Sequence, residues 1–192
     1  FPGVNQSNAR FDDRKMAHMN MTYLLELPLD QYLRKARALP TDVGQYQKFA
    51  QAASDSDDGR YFEAVIQASQ PKVKAVDELP TYTVYFWDET FPWNEKAMAK
   101  VMKKGDPRAR LSELRAVLAA MTDLNDELAV EEAIKAEAEA RAFGFGDYQA
   151  VARLAVTGTN AGPGLTTIFR ILGLDRVIRR IDAFIDQTPA TI

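Results

Sequence analysis

A chain of 192 residues is long enough for one large domain or two small ones, and a composition 46% hydrophobic and 27% charged is that of a globular protein, not a disordered or fibrous one. No apolar run approaches the roughly 20 residues that a bilayer span needs, the densest being Thr83 to Trp87. With no cysteine and only one histidine, His18, the chain has no disulfide framework, no thiolate zinc site and no Ser-His triad.

The net charge of -3 argues against binding nucleic acid through bulk positive charge, but the charge is unevenly spread. Residues 1–50 carry seven basic and five acidic groups, residues 51–150 twelve and nineteen, and residues 151–192 five and three. Within the acidic middle, Lys96, Lys100, Lys103, Lys104, Arg108, Arg110 and Arg115 form a basic block, followed by an acidic one from Asp123 to Glu139. Taken alone, both blocks read as solvated helix faces. The absence of cysteine fits a reducing compartment, so a cytoplasmic protein is expected. Phe1 in place of methionine, with no basic-plus-apolar leader, reads as the start of a piece of a longer protein.

Helical periodicity dominates from end to end. Helices are predicted at about 12–26, 29–38, 43–53, 60–70, 72–79 and 94–104, the last opening at Asn94. Leu111, Leu114, Leu118 and Met121 form the next apolar stripe, with Asp106 as N-cap and Pro107 at the first helical position, where its missing N–H costs nothing. Val130, Ile134 and Ala138 repeat every four residues after an Asn125 cap, in a helix ending near Gly144. A helix end follows at Gly158. Leu165, Ile168, Phe169 and Leu172 make a stripe closed by Gly173, and Ile178, Ile181 and Ile185 make the last. Residues 54–59, 81–92 and 159–163 read as irregular. The predicted class is all-α, divided into a first helical subdomain with its linker at 1–92 and a second at 93–192.

No motif for catalysis or metal binding survives its own geometry. Ser54-Asp55-Ser56-Asp57-Asp58-Gly59 resembles a calcium loop, but counting from Asp55 puts Arg60 where the sharp turn needs glycine and Ile66 where the bidentate glutamate belongs. Gly144-Phe145-Gly146 has Gln149 in place of the third glycine of a dinucleotide fingerprint, and no strand precedes it. Thr157 to Gly164 lacks the lysine and hydroxyl pair of a phosphate loop. Glu131 and Glu132 have no apolar pocket to shift either pKa, and His18 reads as structural or solvent-facing. No catalytic residue and no metal site is expected.

Three blocks in order carry a resemblance. Phe11-Asp12-Asp13-Arg14-Lys15-Met16 is followed by Met19-Asn20, Tyr23-Leu24 and Leu27-Pro28; Gln70-Pro71-Lys72 runs through Asp77-Glu78-Leu79 to Tyr85-Phe86 and Phe91-Pro92. Arg153 to Gly158, Gly162-Pro163-Gly164-Leu165, Ile171-Leu172-Gly173 and Arg179-Arg180-Ile181-Asp182 complete the set. The chain resembles the C-terminal end of bacterial-type glutamyl-tRNA synthetases. The resemblance implies an all-helical anticodon-binding part, a cage of helices followed by a smaller bundle, without the nucleotide-binding fold and its HIGH-type and KMSKS-type motifs. It implies no cofactor on this chain, since ATP and Mg belong to the catalytic domain, and no catalysis by this chain alone. Its implied partner is tRNA(Glu), with tRNA(Gln) as the further candidate, no membrane and a monomeric state.

By the same resemblance Lys72, Arg153, Gly162, Pro163 and Leu165 contact the anticodon. Lys72 stands where discriminating members often carry arginine, and His18 where the family usually has tryptophan. The residue chemistry agrees: an anticodon is a single-stranded loop whose unstacked bases are read by fixed donors, backbone groups and apolar platforms at close range. Arg153, one turn before Gly158, would aim its guanidinium at the start of the next helix, where Gly162, Pro163 and Leu165 sit. Two other readings compete: a helical module binding protein partners through Phe86, Trp87, Phe91 and Trp93, and a stand-alone paralogue without aminoacylation.

Overall fold

A computed structural model describes residues 13–39, 47–54 and 59–188, except for the side chains of Asp13, Arg14, Ala17 and His18. The residues expected around 11–12, 43–46 and 55–58, and the His18 side chain, lie outside that description. Among the described residues the chain is all-α, with no strand and no helix long and apolar enough to cross a membrane.

The helices are α1 (Asp13–Glu26), α2 (Leu29–Arg37), α3 (Gln47–Ser54), α4 (Gly59–Ser69), α5 (Leu79–Tyr82), α6 (Val84–Trp87), α7 (Glu95–Met102), α8 (Pro107–Ala119), α9 (Glu127–Ala140), α10 (Phe145–Thr157), α11 (Leu165–Leu172) and α12 (Leu174–Gln187). They build two apolar cores. One gathers Leu24, Tyr32, Leu33, Phe49, Phe62, Ile66 and Leu79; the larger lies among α8, α9, α10, α11 and α12, where Leu111, Leu114, Leu118, Ile134, Ile168 and Phe184 are closed off from solvent.

Helix α4 is the seam, and its periodicity explains how. Phe62 and Ile66, four residues apart, face the first core, while Tyr61, Val65 and Ala68 lie on the opposite side and join the second. Trp87 packs against both, with its ring 5.8 Å from Phe62 and 5.6 Å from Tyr61.

Three sequence readings are corrected by tertiary contacts. Residues 72–79 are not one helix: 3-10 turns at Gln70–Lys72 and Val76–Glu78 flank extended backbone at Val73 and Ala75. The Asn20 side chain donates to the Lys74 carbonyl at 2.8 Å and the Lys74 N–H donates to Glu78 at 3.0 Å, so tertiary and side-chain bonds replace the helical ladder. The stretch 81–92 is irregular only from Asp88. Before that, α5 and α6 bury Tyr85 and Phe86 beside α10, and Thr83 ties the two short helices, donating to the Leu79 carbonyl and accepting from the Trp87 indole. The N-cap of α9 is Asp126, whose carboxylate accepts from Leu128 and Ala129 at 3.1 Å; as an anion it also complements the positive end of the helix dipole, which Asn125 would not.

Candidate functional site

The site forms where α10 ends. Gly158 closes that helix at φ +71, and its carbonyl accepts from the Asn94 N–H at 2.7 Å, which sets the loop 159–164 against the start of α7. Thr157 donates its hydroxyl to the Arg153 carbonyl at 2.8 Å, and the Thr159 hydroxyl accepts from Ala161 at 3.2 Å. Local side-chain bonds of this kind hold a loop that no ladder supports.

Arg153 projects as its place one turn before Gly158 predicts. Its Nη1 donates to the Pro163 carbonyl at 2.8 Å, and a methyl at Gly162, whose φ is +146, would sit 3.0 Å from that nitrogen and 3.3 Å from the Tyr85 hydroxyl. Glycine is therefore required at 162 both by conformation and by approach. Burial depresses the Arg153 pKa, partly countered by the Tyr85 and Tyr82 phenols; the group stays cationic. Burial likewise pushes both phenols above their ordinary value, so they remain neutral donors. The Tyr85 oxygen is enclosed without a hydrogen-bond partner among the described protein groups.

The five sequence-predicted residues separate. Arg153, Gly162, Pro163 and Leu165 come together, but Pro163 is buried and Leu165 is only 2% exposed, inside the larger core. These two are closed off from solvent and support the loop from within, Pro163 through the carbonyl that accepts from Arg153, and neither forms an apolar platform. The first turn of α11, expected to present free N–H groups, already has an anion nearby: Glu127 of α9 accepts from Thr167 at 2.7 Å and from Arg170 at 2.8 Å. Lys72 stands apart, exposed on the 3-10 turn Gln70–Lys72 of the first core with no described bonding partner. Gln70 anchors that turn, donating to the carbonyls of Leu24 and Leu27 at 2.7 and 3.0 Å.

Two hollows flank the loop. One, of about 330 Å³, lies between it and α5–α6, lined among others by Tyr82, Tyr85, Phe91, Trp93 and Thr159. The other, of about 180 Å³, is a groove between α7 and α10 lined by Lys100, Gln149, Arg153 and Asn160 over Ala97 and Val101. Sequence reasoning missed Tyr82, Lys100, Gln149 and Asn160. The signal for part of this set was available: Gly146, Gln149 and Arg153 recur at i, i+3 and i+7 of α10, a polar and small stripe on an otherwise apolar helix.

The aromatics considered for a protein-binding surface are not free. Phe86 is 1% exposed, Trp87, Phe91 and Trp93 are half-buried against the larger core, and Trp93 lies 4.7 Å from the Phe184 ring. They seal the linker to the bundle. Among the described residues no group of acidic or imidazole side chains is placed to hold a metal ion.

Residues 31–185 match the family model described as "Anticodon binding domain". Among curated relatives, a glutamate–tRNA ligase of Moorella thermoacetica is 31% identical over 93% of this chain and 36% of its own length, and one of Thermobifida fusca is 30% identical over 97% and 38%. A crystal structure of a glutamate tRNA ligase from Elizabethkingia meningosepticum CCUG26117 in complex with its amino acid superposes with a TM-score of 0.75 at 20% identity, covering 97% of this chain and 34% of that one, a likeness of fold. The chain thus spans little more than a third of the length of these relatives. A family match running through both cores, from α2 to α12 and across the Arg153 loop, means that the chain belongs to the anticodon binding domain family.

Proposed function

We propose that this chain is the anticodon-reading part of a glutamate-tRNA ligase, contributing recognition and orientation of tRNA(Glu) and no bond-making of its own. The observation that carries the reading is that the family match runs through the Arg153 loop, where a guanidinium, a strained glycine and exposed backbone meet between two hollows. A single-stranded loop with splayed bases is the ligand such a surface fits, since backbone groups and a planar cationic fork read base edges where flat helix faces do not.

In this reading residues 93–192 supply Arg153 and Gly162, with the buried Pro163 and Leu165 shaping the loop from beneath. Residues 1–92 supply Lys72 from the other core. ATP and Mg act elsewhere in such a ligase, the chain works as a monomer in the cytoplasm, and tRNA(Gln) is the natural competitor. Titration of the chain with tRNA(Glu) and with the same tRNA carrying substituted anticodon bases tests the proposal. Binding that falls when the anticodon is changed is expected; equal binding of every anticodon variant, or none, overturns it. Supplied with ATP and glutamate, the chain is expected to release no pyrophosphate.

A further inference from the structure

The basic block of residues 96–115 divides, in three dimensions, into groups with partners and groups without. Arg110 is 2% exposed and caps the end of α7, donating to the carbonyls of Val101 at 2.7 Å and Gly105 at 3.3 Å, and it reaches the Asp147 carbonyl at the start of α10 at 3.2 Å. It is a structural cation that fixes α7 alongside α10. Arg115 pairs with Asp182 and Lys104 with Asp147 at 3.6 Å, while Arg108 is half-buried, its enclosed Nε without a described partner, and so is set aside from the exposed cations. Three cations remain: Lys96, Lys100 and Lys103 are exposed and have no described ion-pair or hydrogen-bond partner.

These three occupy positions i, i+4 and i+7, Lys103 being the C-cap, so they share one exposed face of α7 that flanks the buried Ala97 and Val101. The middle one, Lys100, also lines the groove that contains Arg153 and Asn160. The stripe is therefore continuous with the candidate site. The one acidic group at the mouth of α10, Asp147, is engaged by Lys104 and does not neutralise it. A row of unpaired ammonium groups leading out of a cleft is electrostatically uncompensated within a chain of net charge -3, and the complementary ligand is a row of regularly spaced anions.

We propose that the exposed face of α7, carrying Lys96, Lys100 and Lys103, tracks the RNA sugar-phosphate backbone next to the bases that enter the Arg153 cleft. The inference rests on the tRNA-binding reading and adds to it the path of the backbone. The lysines act as mobile point charges that hold phosphates without reading sequence, whereas the fixed guanidinium of Arg153 reads bases. The 180 Å³ groove between α7 and α10, with the amide side chains of Gln149 and Asn160 on its wall, lies at the junction of the two kinds of contact.

The test compares the unaltered chain with Lys96→Gln/Lys100→Gln/Lys103→Gln and with a control of equal charge change placed away from the site, Lys35→Gln/Lys48→Gln/Lys135→Gln. Each is titrated with tRNA(Glu) and with an anticodon-substituted tRNA(Glu) across a range of salt, and circular dichroism checks that the helices persist. For the α7 variant the affinity is expected to fall roughly tenfold or more for both tRNAs alike, and the log-affinity against log-salt slope to become shallower by about two to three. The control should change the slope much less. If the unaltered chain binds no tRNA, the functional reading fails before this one is reached. If it binds and the two variants behave alike, net charge alone is at work and the α7 path is overturned. A loss confined to one anticodon sequence would mean base reading, which overturns it equally.

Discussion

The Arg153 guanidinium and the Pro163 carbonyl are joined by a 2.8 Å hydrogen bond that closes the loop after α10 onto the helix it has just left. One Nη1 proton is thereby spent inside the protein, while the rest of the fork stays at the boundary of the 180 Å³ groove. The side chain holds the loop and, in the proposed reading, offers its remaining donors to the tRNA.

Replacing Arg153 separates those tasks. Arg153→Ala is expected to cost about 1 kcal/mol of stability for the lost bond to Pro163, and about 1–3 kcal/mol of tRNA affinity if the remaining donors meet a base edge. Arg153→Lys keeps the charge and loses the fork. Thermal melting and tRNA titration of both variants decide: loss of affinity in proportion to loss of stability would leave Arg153 as a loop strut only. An Arg153→Lys variant that melts normally yet binds weakly supports base reading.

Gly158 is the position where the site is least tolerant. Its φ of +71 is one that side chains rarely adopt, and a methyl group there would stand 2.5 Å from the Pro92 carbonyl and 2.7 Å from the Phe91 ring, so the linker backbone itself would have to shift. Gly158→Ala is expected to destabilise the chain by about 3 kcal/mol, backbone strain and overpacking adding together. Gly105, at φ +95 with open space around it, provides the contrast, and Gly105→Ala is expected to cost only about 1 kcal/mol from strain. Equal melting temperatures for the two variants would show that the linker is not packed against the loop as described.

What could be read from the sequence was what local spacing dictates. The stripe of α8, its Asp106 cap and Pro107 start, the Asn94 cap of α7 and the aim of Arg153 all depend on residues within about ten positions of one another, and all appear as read. The extended backbone of 73–75 did not show, because Asn20 and Glu78 impose it through bonds that no periodicity signals. Nor did the sorting of the basic block, since whether a lysine is free depends on where Asp147 and Asp182 come to lie. The inward turn of Pro163 and Leu165 was hidden for the same reason: an apolar residue in a loop looks alike whether it faces solvent or a core that forms from distant helices.

The linker's attachment to the bundle rests on Arg180, 5% exposed, which donates to the carbonyls of Val156 at 2.7 Å and Asp88 at 3.0 Å, reaches Glu89 at 3.3 Å, and lies over the Phe91 ring. Arg180→Met retains the volume and leaves a buried carbonyl at Val156 and a half-buried one at Asp88 without this donor, so a loss of about 2 kcal/mol is expected. The opposing Glu89 carboxyl is raised by desolvation but lowered more by Arg180 and Arg176, for a net pKa below its ordinary 4.5. A depressed carboxyl stabilises the fold above its unfolded pKa, and that contribution disappears as pH falls through the folded one. Unfolding at pH 7 should therefore distinguish Glu89→Gln from the unaltered chain, and the difference should shrink below about pH 4.5. A difference that is constant with pH would mean that the Glu89 charge is not what holds the linker.

Lys72 is the position where a single exchange is expected to alter specificity without touching the fold. Its turn is anchored by Gln70 to the end of α1, yet the ammonium is exposed and has no partner among the described residues, so its location is set while its direction is free. On the proposed reading, Lys72 meets the third anticodon base, C in glutamate tRNAs and G in glutamine tRNAs. On the Watson–Crick edge cytosine presents the adjacent acceptors O2 and N3, which match the planar fork of arginine, whereas guanine presents the donors N1–H and N2–H beside the single acceptor O6, to which a flexible ammonium can donate alone. The unaltered chain is thus expected to prefer tRNA(Glu) over tRNA(Gln) only weakly, and Lys72→Arg to widen the preference by about 1 kcal/mol, near the lower end for one good bidentate contact. Circular dichroism should be indistinguishable, because no described residue bonds to the Lys72 side chain. Titrating both proteins with both tRNAs gives four affinities and one ratio of ratios. If that ratio is unity while all affinities move together, Lys72 holds a phosphate and the base-reading assignment is wrong.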